Sequence, residues 1–309
     1  MFHLCKKSLL PLSALLIFSA TPLITSAQAT DLRSEITHAV NQLEAKKTAH
    51  PRKLLVFSLT RGFKHASIQT GQLMMTIMGE KTGAFDAVVS NDLSHFEPEN
   101  IKQFDAICFL NTTLEVFTPD EKTLAKMSDS EKKEAAQQEA RLKKSLMQFI
   151  KSGKGFVGIH AASDTFYQWP EYGEMLGGYF DGHPWRANTP VSIKIENGQE
   201  KHTCCAHLQG KNLEFKEEIY QFKAPYNPKK LHILLRLDPE KMDLSIGKRS
   251  DQDYAVSWIK HHGKGRVFYC SLGHNHHIYK NQRVLQHYLC GIQWALGDLN
   301  ADAEIKQAE

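Results

Sequence analysis

The sequence predicts an α/β protein with a mostly parallel central sheet. Three observations carry this. Short apolar runs recur at residues 53–60, 85–90, 105–110 and 155–159, each of the length and character of a strand covered on both faces. Helical stretches separate them, the order expected of right-handed β–α–β crossovers. The last run, G-F-V-G-I-H-A-A at 155–162, stops abruptly on His160 and passes into small residues. A strand end of this kind faces the crevice where open α/β sheets take ligands.

The elements follow in order. Residues 1–29 read as a secretory leader: Lys6 and Lys7, an apolar stretch interrupted by Pro11 and Pro22, then Ala27-Gln28-Ala29 as a small-residue cleavage pattern. The mature protein is therefore expected to be soluble and exported, periplasmic or secreted, with no membrane span after cleavage near Ala29. Residues 30–51 form an N-terminal helical extension, with Leu32, Ile36, Val40 and Leu43 at helical spacing. The main domain runs over 52–298, and 299–309 is a polar tail. Ser67 is expected to cap a helix to about Gly79. Residues 119–151 read as one helix whose charged middle is a solvated face. Residues 164–188 form a loop dense in aromatics and glycine, and long loops in compact domains usually serve function. Strands at 191–196 and 231–237 follow. A hairpin joins 255–260 to 266–271, and a helix over 281–296 ends at Gly297.

Composition narrows the function classes. The chain of 309 residues carries a net charge of +4 without a basic stripe interleaved with aromatics, so nucleic acid is not an expected partner. Of six cysteines, five remain after the leader, at irregular spacing, which is no disulfide framework. Cys108 and Cys270 lie in strand-like runs and read as buried thiols. The adjacent Cys204 and Cys205 cannot easily bridge each other, and a partner elsewhere stays open.

Histidines fall where strands end. His65 follows the first strand, His160 ends the fourth, His183 sits in the aromatic loop, and His274 follows the strand at 266–271. Imidazole titrates near neutrality and is the commonest metal ligand, so the set points to proton transfer or to a divalent metal, with His160, His183 and His274 as candidate ligands. His276 and His277 are weaker candidates; His202, His207, His232, His261 and His262 read as ordinary. No H-E-x-x-H or paired C-x-x-C is present. Glu217 and Glu218 read as a solvated strand end or as site carboxylates. Trp169, Tyr172 and Trp185 either offer flat faces to a sugar ring or fill the loop's own core. Asp164 either orients a substrate hydroxyl or an imidazole, or caps a helix. His160 stands where a nucleophile elbow would carry Ser or Cys, which argues against an acyl-enzyme.

These residues carry a resemblance. T-R-G-F-K-H at 60–65, G-K-G-F-V-G-I-H-A-A-S-D-T at 153–165 and Y-G-E-M-L-G-G-Y-F-D-G-H-P at 172–184 occur in order with E-E-I-Y at 217–220. G-K-G-R-V-F-Y-C-S-L-G-H at 263–274 and H-Y-L-C-G-I-Q-W-A-L-G at 287–297 complete the set. The chain resembles the ThuA-like (trehalose utilisation) family of the class I glutamine amidotransferase-like superfamily. The resemblance implies a flavodoxin-like three-layer sandwich lacking the amidotransferase cysteine. It also implies isomerisation or cleavage of an oxidised sugar such as a 3-keto-glycoside, with His65, His160, His183, Glu218, Tyr220 and His274 as matching positions. The charged helix is longer than the pattern, and His276-His277 stand where a carboxylate is expected.

The expected activity is proton transfer on a keto-sugar. His160 acts as general acid/base and His65 or His183 handles the second proton. Glu218, Tyr220, His274, Trp185 and Asp164 bind substrate, and a divalent metal is compatible with the histidines. The expected partner is a small carbohydrate, and a homo-oligomer is compatible with the sequence. The alternative is a non-catalytic carbohydrate-binding module on the same fold.

Overall fold

The computed structural model describes residues 26–304. The leader expected over 1–29 lies, for residues 1–25, outside the described residues. Among the described residues, no helix is long and apolar enough to cross a membrane.

A nine-stranded mixed sheet forms the middle layer, and its parallel half sets the site. Strands β1 (Lys53–Phe57), β2 (Asp86–Val89), β3 (Ala106–Leu110) and β4 (Gly155–Ile159) join β11 (Gly265–Cys270) in the order β2-β1-β3-β4-β11, all parallel. This 2-1-3-4-5 arrangement is the flavodoxin-like one. β10 (Ala255–His262), β9 (His232–Leu237), β6 (Pro190–Ile195) and β7 (Leu213–Lys216) extend it with antiparallel neighbours. A two-stranded ribbon of β5 (Tyr179–Phe180) and β8 (Phe222–Lys223) stands apart from the sheet.

Side-chain alternation builds the other two layers. Leu54 and Val56 of β1 pack with α1 (Ser26–Val40), α2 (Ile68–Thr82) and α6 (Gln282–Leu296), whereas Leu55 and Phe57 pack with α4 (Asp129–Lys151) and α5 (Pro170–Leu176). Both clusters are apolar and nearly water-free, the main source of stability in such a fold.

Several boundaries differ from the sequence reading. The extension helix stops at Val40 rather than near residue 50. The helix expected over 119–151 is two, α3 (Glu121–Leu124) and α4, because Ser128 and Glu131 close a capping box that starts α4 afresh. The loop at 164–188 contains α5 and β5, and β7 and β8 had no expectation. Ser67 makes no cap bond; its hydroxyl donates instead to the Gly273 carbonyl at 2.8 Å. α2 ends at left-handed Gly83. The β10–β11 hairpin is tighter than expected, since His262 pairs with Gly265 across Gly263-Lys264. The tail is docked as far as it is described: His202 and His232 hold the backbone carbonyls of Asp302 and Glu304. The five described cysteines are buried free thiols.

β4 can carry its final residue to the crevice because α6 lies hard against its start. A Cβ at Gly155 would fall 2.5 Å from the Ala295 carbonyl oxygen and 2.9 Å from the Ala106 Cβ. Gly155→Ala is expected to cost about 1–3 kcal/mol of unfolding free energy, read from the urea midpoint. An unshifted midpoint would show that α6 does not approach this closely.

Candidate metal centre

The carboxyl ends of β1, β4 and β11 each deliver one histidine. His65 lies in the loop after β1, buried ahead of α2. His160 follows β4 directly, is fully buried, and has φ +50°. A non-glycine residue in the left-handed region is strained by about 1–2 kcal/mol, and this strain turns the imidazole from the sheet into the crevice. His274 follows β11 through Gly273 at φ +136°. Gly273 is also kept small by closeness, since a Cβ there would meet the Tyr279 hydroxyl at 2.7 Å and the His160 Cβ at 3.1 Å.

The fourth member comes from the excursion before β8. Residues 181–185 and 217–221 continue the β5–β8 ribbon through backbone bonds, Asp181 N–H to Gln221 O at 2.8 Å and Ile219 N–H to Trp185 O at 2.9 Å. Extended backbone sends neighbouring side chains in opposite directions, so Glu217 and Glu218 part. Neither is a solvated strand end; both are buried. Glu218 faces the histidines: Oε1 lies 3.2 Å from His274 Nδ1 and 3.6 Å from His160 Nε2, and Oε2 lies 3.6 Å from His183 Nδ1. Glu217 turns the other way. Its Oε1 accepts from the backbone N–H groups of Gly273 (3.0 Å), His274 (2.6 Å) and Asn275 (3.4 Å), clamping the loop that carries His274.

Donor atoms of His65, His160, Glu218 and His274 all lie within 4.8 Å of one another. The imidazole rings of His65 and His160 are 4.8 Å apart between centroids, and those of His65 and His274 are 5.2 Å apart. Two ring nitrogens in this group, His65 Nδ1 and His160 Nε2, are buried without a hydrogen-bond partner, while His274 Nδ1 pairs with Glu218 Oε1 at 3.2 Å. Buried polar atoms are ordinarily satisfied, so two orphans grouped with a histidine–carboxylate pair point to ligands. The tautomer of His160 agrees. Its Nδ1 lies 2.6 Å from the Ser271 carbonyl, and a carbonyl only accepts, so Nδ1 carries the proton and Nε2 presents its lone pair inward. Three imidazoles and one carboxylate suit a borderline transition-metal dication better than the all-oxygen preferences of Ca²⁺ or Mg²⁺.

Electrostatics separates the members. Burial lowers the His65 pKa to about 4, with the positive charge of His274 adding to it. Burial and His65 hold His160 well below its ordinary value. Both are thus lone-pair donors near neutrality and weak bases. His274 is raised: burial opposes its charged form, and Glu218, with Glu217 behind it, outweighs burial. Burial pushes Glu217 up to about 7 against its backbone hydrogen bonds. Burial likewise pushes Asp164 to about 6 against its bond from the Tyr167 hydroxyl.

The remaining sequence candidates divide. His183 lies on the far oxygen of Glu218, 43 % exposed on its side chain, and stacks on Phe180. Tyr220 is buried with its ring 4.3 Å from that of His160, so it packs beneath the cluster. Asp164 pairs with Tyr167 and caps no helix. Trp185 is 1 % exposed and edge-on to Tyr254; with Trp169 and Tyr172 also buried, all three fill core and none offers a face to a ligand. His276 bonds Thr70 at 2.7 Å and His277 packs near Phe215, both outside the cluster. His202, His207 and His232 hold backbone carbonyls, as ordinary buried histidines do.

Sequence reasoning missed the support around the ligands. Asn111 Nδ2 reaches the Ser67 hydroxyl, the Gly273 carbonyl and the Tyr279 hydroxyl. A single Asn after a strand gives no hint of three partners, the farthest of them 168 positions away. It also missed Phe63, which stands over the cluster.

A doubly wound α/β fold with a histidine–carboxylate cluster at its carboxyl edge defines the class. The chain belongs to the ThuA family: the family model described as trehalose utilisation matches residues 53–295. Among solved structures it is similar to a ThuA-like protein from Bacteroides uniformis, at 19 % identity and TM-score 0.54, covering 80 % of this chain and 94 % of that one. It is equally similar in fold to one from Parabacteroides merdae, at 16 % identity and TM-score 0.54, covering 80 % and 90 %. A comparison with curated proteins finds no match.

Proposed function

We propose that the chain is a metal-dependent enzyme that moves a proton beside the carbonyl of an oxidised sugar, leading to isomerisation or elimination. The supporting observation is the grouping of His65, His160, His274 and Glu218 donor atoms within 4.8 Å, two of the buried imidazole nitrogens being unpartnered. His65, His160, His274 and Glu218 would hold the ion. A bound dication supplies a Lewis acid for a sugar carbonyl and so acidifies the neighbouring C–H. This reading moves His160 from acid/base to ligand, since its burial and depressed basicity suit a lone-pair donor. His183 takes the proton-transfer role: it lies outside the ligand group, faces solvent on its open side, and is oriented by Glu218 Oε2. Asp164 is a second proton carrier whose pKa of about 6 keeps it near the working range. The sugar assignment rests on the family description. Export behind a leader ending near Ala29 belongs to the same proposal, and N-terminal sequencing of the mature protein tests it.

The deciding experiment joins elemental analysis to solvent exchange. Purified protein is expected to carry about one equivalent of transition metal. With a 3-keto-glucoside in D₂O, the C–H beside the carbonyl is expected to exchange, followed by proton NMR. His183→Asn should slow exchange at least ~100-fold with metal content unchanged. Protein without metal that still exchanges returns His160 to the base role. Metal-loaded protein that binds the sugar and exchanges nothing favours the binding module.

A further inference from the structure

Phe63 is 63 % exposed. Every other Phe, Tyr and Trp among the described residues is buried or half-buried. The fold hides its aromatics thoroughly and leaves one out, at the mouth of the histidine cluster. The Phe63 ring meets the His65 ring edge-on at 4.8 Å and lies within 16° of parallel to the His274 ring at 6.4 Å. Leu114, 38 % exposed, lies beside the residue before Phe63: a Cβ on Gly62 would fall 2.8 Å from the Leu114 side chain. Two of the four large apolar side chains that the described surface exposes thus share one ledge.

The ledge is held in place. Arg61 N–H donates to the Thr113 carbonyl at 2.9 Å. The Thr113 hydroxyl accepts from Gly62 N–H and donates to the Phe63 carbonyl, each at 3.1 Å. Leu114 has φ +60° and is pinned by its N–H to the Asp164 carbonyl at 2.7 Å and by its carbonyl to Phe166 N–H at 3.2 Å. A leucine in the left-handed region is strained. Such strain persists where the surroundings fix it and is enriched at ligand sites.

We propose that Phe63, with Leu114 beside it, is the platform that receives the apolar C–H face of a cyclic saccharide and holds its carbonyl toward the His65–His274 side of the cluster. This rests on the sugar reading above and adds its substrate class: a closed pyranose ring rather than an open-chain sugar. A flat ring edge-on to one ligand and nearly parallel to another can stack against a saccharide ring while the polar edge of that ring enters the cluster. A linear polyol has no continuous face to offer.

The test uses the full, metal-loaded protein with methyl α-D-glucopyranoside, its 3-keto form, and D-sorbitol. Phe63→Ala should weaken binding of the cyclic probes roughly tenfold, the effect of exposing one apolar ring face, with metal content and sorbitol affinity unchanged. Phe63→Trp should retain binding, and its indole, the only exposed one among the described residues, should report it by a blue shift. Phe63→Ala binding the cyclic probes as tightly as wild type overturns the platform while the proposed function stands. Wild type binding neither cyclic probe overturns both.

Discussion

Glu218→Gln is expected to lower Zn²⁺ affinity by at least about 100-fold and to abolish exchange at the sugar carbon. The attraction of one carboxylate for a dication ~4 Å away is about 8 kcal/mol at an effective dielectric near 20, before desolvation is set against it. Retaining a third of that corresponds to about two orders of magnitude in the dissociation constant. The substitution keeps the side chain's size and removes only the charge, so the buried space stays filled. Titration against a chromophoric chelator reads the affinity. A second readout separates the charge from any structural role. Burial lowers the His274 pKa, and Glu218, with Glu217 behind it, raises it, so the His274 imidazole of the metal-free variant should titrate lower, followed by its ring-proton NMR shifts. Unchanged Zn²⁺ affinity would remove Glu218 from the ligand group and leave the three imidazoles without their counter-charge.

The legibility of this site follows from how each residue reaches it. His65, His160 and His274 were visible because each sits at the carboxyl end of an apolar run, and the topology of a parallel sheet gathers such ends at one edge. Most of the parallel half of the sheet was legible for the same reason, as β1, β3 and β4 are buried on both faces and read as unbroken apolar runs. β7, β8 and α5 were not, because short amphipathic elements in an excursion carry no clear period. The residues alone left Glu218 open between a solvated strand end and a site carboxylate, and the family resemblance singled it out. In the bare sequence, Glu217-Glu218 looks like any polar strand end, and only the extended backbone at 217–221 shows that one carboxylate clamps the His274 loop while the other enters the cluster. Trp185 and Phe63 show the same limit from opposite sides. A tryptophan in a glycine-rich loop suggests a sugar platform and proves to be core. Phe63, in the loop after β1, gives no local sign of its exposure and stands in solvent. Burial is decided by partners far along the chain, Tyr254 for Trp185 and Thr113 for Phe63, and no local pattern carries that information.

His287 makes a prediction of similar size at the other end of the molecule. It sits on α6 fully buried, Nδ1 bonded to the Cys204 carbonyl at 2.9 Å and Nε2 to the Ser257 hydroxyl at 2.8 Å. Burial, aided by the nearby His207, depresses its pKa to about 3. A histidine whose folded pKa lies below its unfolded value of about 6.5 supports the fold fully above pH 6.5. That support falls as the pH drops, by up to about 5 kcal/mol once both states are protonated below pH 3. Other groups act over part of the range. Burial lowers His207 and His65 to about 4 and holds His160 well below its ordinary value, which adds losses in the same direction. Asp164, raised to about 6, adds a gain as the pH falls below 6. Glu217, raised to about 7, favours the fold as the pH falls from 7 to about 4.5, a gain of about 3 kcal/mol that roughly offsets His207. Below pH 4.5 the Glu217 gain is complete while the buried histidines continue to lose, so stability should keep falling through pH 4. Urea midpoints of chelator-treated protein at pH 7, 5 and 4 read the slope. His287→Gln keeps one side-chain bond and cannot charge. It should be less stable than wild type at pH 7 and clearly flatter with pH. Because every other titrating group is common to both proteins, equal slopes would mean that His287 is protonated in the fold and that the rear core opens to water.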